Sequence, residues 1–129
     1  MPRAPVRTYG RLDVNTEELL RRLALNDEKA VDAAVGAAPL PLDEPQALDD
    51  KTRALVRLAA LLSIGAATAS CRATVEVARA AGATDQEIVG VLLAVAPAVG
   101  GARVVGAAPR LALAIDYDVE DVDDRYNGS

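Results

Sequence analysis

The stretch that most constrains the fold covers residues 82–88 (GATDQEI), where one alanine-rich helical segment must end and another must begin. Gly82 can adopt the left-handed backbone conformation that closes a helix, because it has no Cβ atom. Thr84 and Glu87 stand three residues apart, which is the spacing of a capping box at a helix start. The stretch therefore predicts a junction between two helices.

Apolar residues recur at helical spacing on both sides of this junction, which predicts an all-α bundle of about six helices. We expect Asn15 and Asn26 to cap the first two helices. Pro97 should end or kink the fifth helix, since its nitrogen cannot donate a hydrogen bond, and Pro109 is the weak point of the sixth. The predicted helices cover residues 15–24, 26–36, 48–64, 69–81, 84–96 and 102–114.

The remaining segments are expected to be non-helical. Residues 1–14 are predicted to form a flexible arm without the apolar run of a secretory signal. Three prolines in residues 37–47 indicate an ordered, non-helical connection. The acidic residues 116–129 predict a mobile tail, which leaves a single helical domain over residues 15–115.

The composition limits the partners of the chain. Hydrophobic residues make up 51% of it but aromatic ones only 2%, so Ala, Val and Leu must fill the core. The net charge of −5 would repel a phosphate backbone, so we expect no nucleic acid partner. Residues 54–64 are too short to span a membrane and contain Arg57. A single Cys permits no internal disulfide, which favours a reducing cytoplasm.

The segment 89–114 contains only two ionised residues, Arg103 and Arg110. A helix that is apolar on every side must be buried on every side. We therefore predict that part of this segment contacts another subunit in a homo-oligomer. The alternative is a central helix wrapped by its own chain.

Three stretches in this order, residues 48–53 (LDDKTR), 80–89 (AAGATDQEIV) and 96–100 (APAVG), resemble the carboxymuconolactone decarboxylase family, part of the alkyl hydroperoxidase D-like superfamily. The resemblance covers residues 48–113. It implies an alkyl hydroperoxidase D-like helical subunit that forms trimers or hexamers, with sites between helices near subunit contacts. It also implies that no metal or organic cofactor is used.

The chain departs from that family at the positions that carry chemistry. The resemblance places a His at Thr74, eight residues before Gly82, and a Glu at Ala54, yet this chain has no His at all. Its only cysteine, Cys71, falls at neither position of the family's Cys-x-x-Cys pair. A dithiol peroxidase needs an attacking and a resolving thiol, so that activity is not expected.

Four residues remain as weak candidates for ligand contact. Ser70, Cys71 and Thr74 share a face of the fourth helix with Ala78, where they could line a pocket or simply allow close packing. Cys71 and Thr74 are the only catalytic candidates, and a buried, inert thiol is the simpler interpretation of Cys71. Arg103 lies among apolar residues and needs either a structural ion pair or an anionic ligand.

Two functions are compatible with these residues. The chain could be a non-catalytic scaffold that binds a small organic acid or a partner protein. It could instead be a cofactor-free decarboxylase, lyase or isomerase acting on a small carboxylate or lactone, with Arg103 as the anion clamp. Arg53 and Arg57 are one helical turn apart, and salt bridges to acids are their simplest interpretation.

Overall fold

The computed structural model describes residues 14–36 and 48–117. These ranges contain six α-helices and no strand, which confirms the all-α prediction. The helices are α1 Val14–Ala24, α2 Glu28–Ala34, α3 Asp50–Ile64, α4 Thr68–Ala80, α5 Asp85–Val99 and α6 Gly101–Ala114. The predicted arm up to residue 13, the proline-rich connection and the tail from residue 118 onward lie outside the described residues.

The chain divides into two compact units, with the boundary after residue 46. In the first unit α1 packs against α2. Both predicted caps are wrong here: Asn15 lies inside α1, and Asp27 caps α2 by accepting the amide of Ala30 at 3.0 Å. Asn26 instead takes a φ of 59° in the turn, a conformation that asparagine tolerates better than most residues.

The second unit contains α3 to α6, and its core is built from small and medium-sized side chains. Helix α3 packs against α4 and α5, while α6 packs against α4 and α5. The largest fully buried side chains are Leu58, Ile88, Val75 and Cys71. Leu58 and Leu62 of α3 are buried, and Leu55 and Ala59 are partly buried against the same core, which is the i, i+3, i+4, i+7 spacing of one helix face.

The predicted junction at residues 82–88 is confirmed. Gly82 has a φ of 98°, so it occupies the left-handed region after α4. The hydroxyl of Thr84 accepts the amide of Glu87 at 3.1 Å, and the carboxylate of Glu87 accepts the amide of Thr84 at 3.0 Å. This reciprocal capping box starts α5.

Helix α5 continues three residues beyond its predicted end near residue 96, so Pro97 does not terminate it. The proline removes only the bond to the carbonyl of Leu93, a residue that is 70% exposed. The last turn remains closed, because the amide of Gly100 donates to Ala96 at 2.9 Å. Pro109 is likewise accommodated within α6.

Two aliphatic stripes remain exposed on α5 and α6. Residues 89, 93 and 97 recur every four positions on α5, and residues 105, 109 and 113 do so on α6. Leu93 is 70% and Val105 is 73% exposed, and neither stripe contains a charged residue. No helix within the described ranges is long and apolar enough to cross a membrane.

Candidate functional site

The three candidate residues on α4 differ in how deeply they are buried. Ser70 is exposed, Thr74 is half-buried and Cys71 is fully buried in the core. Within the described residues the hydroxyls of Ser70 and Thr74 make no hydrogen bond. The two hydroxyls, one turn apart, therefore remain available to a ligand at the edge of the helix, whereas the thiol does not.

The thiol of Cys71 belongs to the same buried core cluster as Val75 and Ala78. Burial raises the pKa of the Cys71 thiol above its ordinary value of 9.0, and the positive charge of Arg110 opposes this rise. Because the thiolate is the nucleophilic form, a raised pKa makes this cysteine a poor nucleophile near neutral pH.

Arg103, at the start of α6, lies against the end of α3. Its Nη1 donates a hydrogen bond to the carbonyl oxygen of Ser63 at 3.0 Å, and it has no carboxylate partner among the residues described. The side chain is exposed, and this one bond uses only one of its five N–H donors. The expected ion pair is thus replaced by contact with a helix C-terminus, which favours positive charge.

Arg110 is a second guanidinium near the α3–α4 turn, residues 65–67, and the sequence alone did not indicate it as a ligand contact. Its Nη1 donates to the carbonyl of Ala66 at 3.3 Å. Arg103 and Arg110 are seven residues apart, which places them on one face of α6. This spacing, in a segment without other charged residues, is the feature of the sequence that indicates a shared site for the two arginines.

The start of α4, directly after this turn, lacks a side-chain cap. Its N-cap residue is Ala67, which has no acceptor, so the amides of Thr68 and Ala69 find no hydrogen-bond partner among the described residues. The N-terminus of a helix carries about half a positive charge. The end of α3 adds an opposite partial charge at the same turn, so the two helix dipoles largely cancel and the two guanidinium groups, with the two amides, favour an anion.

The described side chains at this turn are guanidinium groups and neutral hydroxyls, which suit the binding of an anion. The chain contains no histidine, and Cys71 is buried with a raised pKa. In the part of the chain that the structure describes, no group of three His, Cys, Asp or Glu side chains could hold a metal ion. Two clefts in the described ranges, one along α1 and α2 and one between α3 and α4, are lined by neither Ser70, Thr74 nor Arg103.

Comparison with known proteins defines the class to which this helical chain belongs. A model described as the carboxymuconolactone decarboxylase family matches residues 28–113. The chain therefore belongs to the carboxymuconolactone decarboxylase family. The match reaches further towards the N-terminus than the resemblance over residues 48–113. Neither the curated proteins nor the solved structures gave a match.

Proposed function

We propose that this carboxymuconolactone decarboxylase-like protein is a self-assembling scaffold that binds a small organic acid, and that it is not a dithiol peroxidase. The observation that carries the proposal is the pair of guanidinium groups of Arg103 and Arg110. They donate to the carbonyls of Ser63, at the end of α3, and of Ala66, in the turn that leads into the start of α4. The fork of a guanidinium suits the two oxygens of a carboxylate. Ser70, in the first turn of α4, would supply a neutral donor.

Binding is better supported than catalysis. Loss of carbon dioxide from a lactone or carboxylate requires stabilisation of a developing carbanion or enolate and then its protonation. The described residues at the turn provide positive charge for the first requirement but no group that titrates near neutral pH for the second. A cofactor-free decarboxylase, lyase or isomerase therefore remains the alternative, with Thr74 as a polar contact.

Self-assembly is supported by the aliphatic stripes of α5 and α6. Transfer of each exposed Val or Leu side chain from water to an apolar contact contributes about 1.5–3 kcal/mol. A trimer or hexamer would cover these side chains and could place a second subunit beside the α3–α4 turn. The lone cysteine further favours the reducing cytoplasm as the compartment.

A thermal melting screen over small organic acids tests the binding proposal, because a ligand that binds only the folded state raises the melting temperature. An active acid should raise the melting temperature of the wild type in a concentration-dependent way. Arg103→Ala should abolish most of this shift, and Arg110→Ala should reduce it.

Arg72→Ala is a matched control. Arg72 also donates to a carbonyl, that of Leu113 at 2.7 Å, but it does not lie at the turn. The shift should survive in this variant. An acid that shifts the wild type and Arg103→Ala equally would contradict the proposed clamp, and sedimentation of the wild type as a monomer at micromolar concentration would contradict self-assembly.

A further inference from the structure

A cleft of about 320 Å³ opens at the far end of the α3–α4 pair from the turn, between the first half of α3 and the end of α4. Its charged walls come from α3 and its apolar walls from α4. The lining residues used below are Asp50, Arg53, Arg57, Val77, Ala80 and Ala81. None of them belongs to the aliphatic stripes or to the α3–α4 turn.

The two arginines of this cleft differ in their hydrogen-bond partners. Arg53 is held by the carboxylate of Asp50 and by the carbonyl of Leu48 at 3.3 Å, so its expected salt bridge is present. Arg57, one turn further along α3, makes no hydrogen bond or ion pair within the described residues. Its expected salt bridge is therefore not found among the residues described, where none of its five N–H donors is used.

The charge balance of the cleft favours one negative charge. Arg53 and Arg57 contribute two positive charges and Asp50 one negative charge, which leaves one positive charge in a chain whose net charge is −5. The start of α3 and the end of α4 add opposite partial charges of about half a unit each. These two partial charges largely cancel. The guanidinium of Arg57, which has no partner among the described residues, therefore makes the net charge of the cleft positive.

The volume and the lining of the cleft then determine the size, the apolar character and the charge of a suitable ligand. Its volume lies at the lower end of the range of small-molecule pockets, roughly 300–1,000 Å³. Val77 is 54% exposed and, with Ala80 and Ala81, offers an apolar surface beside Arg57. A second negative charge on the ligand would be repelled by Asp50.

We propose that this α3–α4 cleft binds a monocarboxylate with a small apolar body, with the carboxylate on Arg57 and the apolar body on Val77 and Ala80. Benzoate is the probe of this class. The site is independent of the proposed function, because it shares no residue with the α3–α4 turn.

Titration of the full-length, ¹⁵N-labelled protein with benzoate, followed by NMR, tests the proposal. Saturable shifts should appear at the amides of Arg57, Ala80 and Ala81. Arg57→Gln should weaken binding by about tenfold or more, since hydrogen bonds to a charged group are lost. Arg72→Gln removes the same charge from an exposed position of α4 outside the cleft, and it should change the affinity less than about twofold.

Two further measurements make the test specific. Val77→Glu places a carboxylate beside Arg57 on an exposed position, so it should compete with benzoate and abolish the shifts while the helical circular dichroism is retained. Acetate, which has no apolar body, should bind more weakly than benzoate.

Unchanged benzoate affinity in Arg57→Gln, or no saturable shift at the cleft amides, would overturn the proposal. Benzoate shifts confined to the amides of Thr68 and Ala69 would also overturn it, because the acid would then be bound at the turn. That last result would leave the proposed function standing.

Discussion

The carboxylate of Glu87 accepts a hydrogen bond from Nζ of Lys51 at 2.9 Å, which ties the start of α5 to the start of α3. The other oxygen of the same carboxylate accepts the amide of Thr84 in the capping box. One side chain thus fixes both the beginning of α5 and its position against α3. The junction at residues 82–88 is therefore a tertiary contact as well as a local helix signal.

Replacement of Thr84 by Ala should lower the free energy of unfolding by about 1 kcal/mol, because the first turn of α5 loses its side-chain acceptor. Equilibrium unfolding in urea measures this. Thr68→Ala is the matched control, since the hydroxyl of Thr68 makes no hydrogen bond among the residues described, and its effect should stay within about 0.5 kcal/mol. Equal effects of the two substitutions would show that the capping box does not stabilise the fold.

The contribution of Glu87 should depend on pH. The amide of Thr84, followed by Lys51, lowers the pKa of Glu87 below its ordinary value of 4.5. Because the folded-state pKa is lowered, the stabilisation is complete above pH 4.5 and is lost as the pH falls through the lowered pKa. Glu87→Gln should therefore be less stable than the wild type at neutral pH, and the difference should shrink in acid. Urea unfolding at several pH values checks this, and a pH-independent difference would contradict it.

The features that the sequence predicted correctly depend on short-range spacing. Gly82, Thr84 and Glu87 determine the junction within six residues, and the buried positions of α3 follow from the helical period. The misplaced cap of α2 has an equally local cause. Asn26 and Asp27 are adjacent good capping residues, and which of them caps α2 depends on the backbone conformation of the turn.

The features that the sequence could not predict depend on packing between helices. The missing donor of Pro97 predicts too early an end for α5, because the carbonyl that loses its hydrogen bond lies at the exposed residue Leu93. The carbonyl partner of Arg103 is 40 residues away in the chain. That Arg57 has no partner in the described ranges likewise depends on how α4 packs against α3.

Two glycine substitutions should have opposite effects on stability. Gly65 has a φ of 74°, and an added Cβ would lie 3.3 Å from Nη1 of Arg110. Gly65→Ala should therefore destabilise the protein by more than about 1 kcal/mol. Gly90 lies inside α5 with nothing within 4 Å of an added Cβ, so Gly90→Ala should stabilise by about 0.5–1 kcal/mol. Urea unfolding of both variants measures the effects, and a stabilising Gly65→Ala would contradict the conformation assigned to the turn.

Cys71 should resist thiol reagents in the folded protein. It is fully buried, and burial raises the pKa of its thiol, so both access and the thiolate fraction are low. We expect slow modification by a chromogenic disulfide reagent at mildly alkaline pH and complete modification after unfolding in urea. The unfolded protein is the control for reagent quality. Rapid, stoichiometric modification of the folded protein would show that Cys71 is accessible, which would restore it as a catalytic candidate.

The aliphatic stripes should determine the state of assembly. Leu93→Glu places a charge where the proposed interface would exclude water, and burial of an unpaired carboxylate is costly. Sedimentation velocity should therefore show the Leu93→Glu variant as a smaller species than the wild type. Val56→Glu is the matched control, because Val56 is also exposed, at 53%, but lies on α3. An introduced glutamate disrupts assembly only where a second subunit covers the surface. Assembly that is unchanged by Leu93→Glu but lost in Val56→Glu would therefore assign the interface to α3 instead of α5.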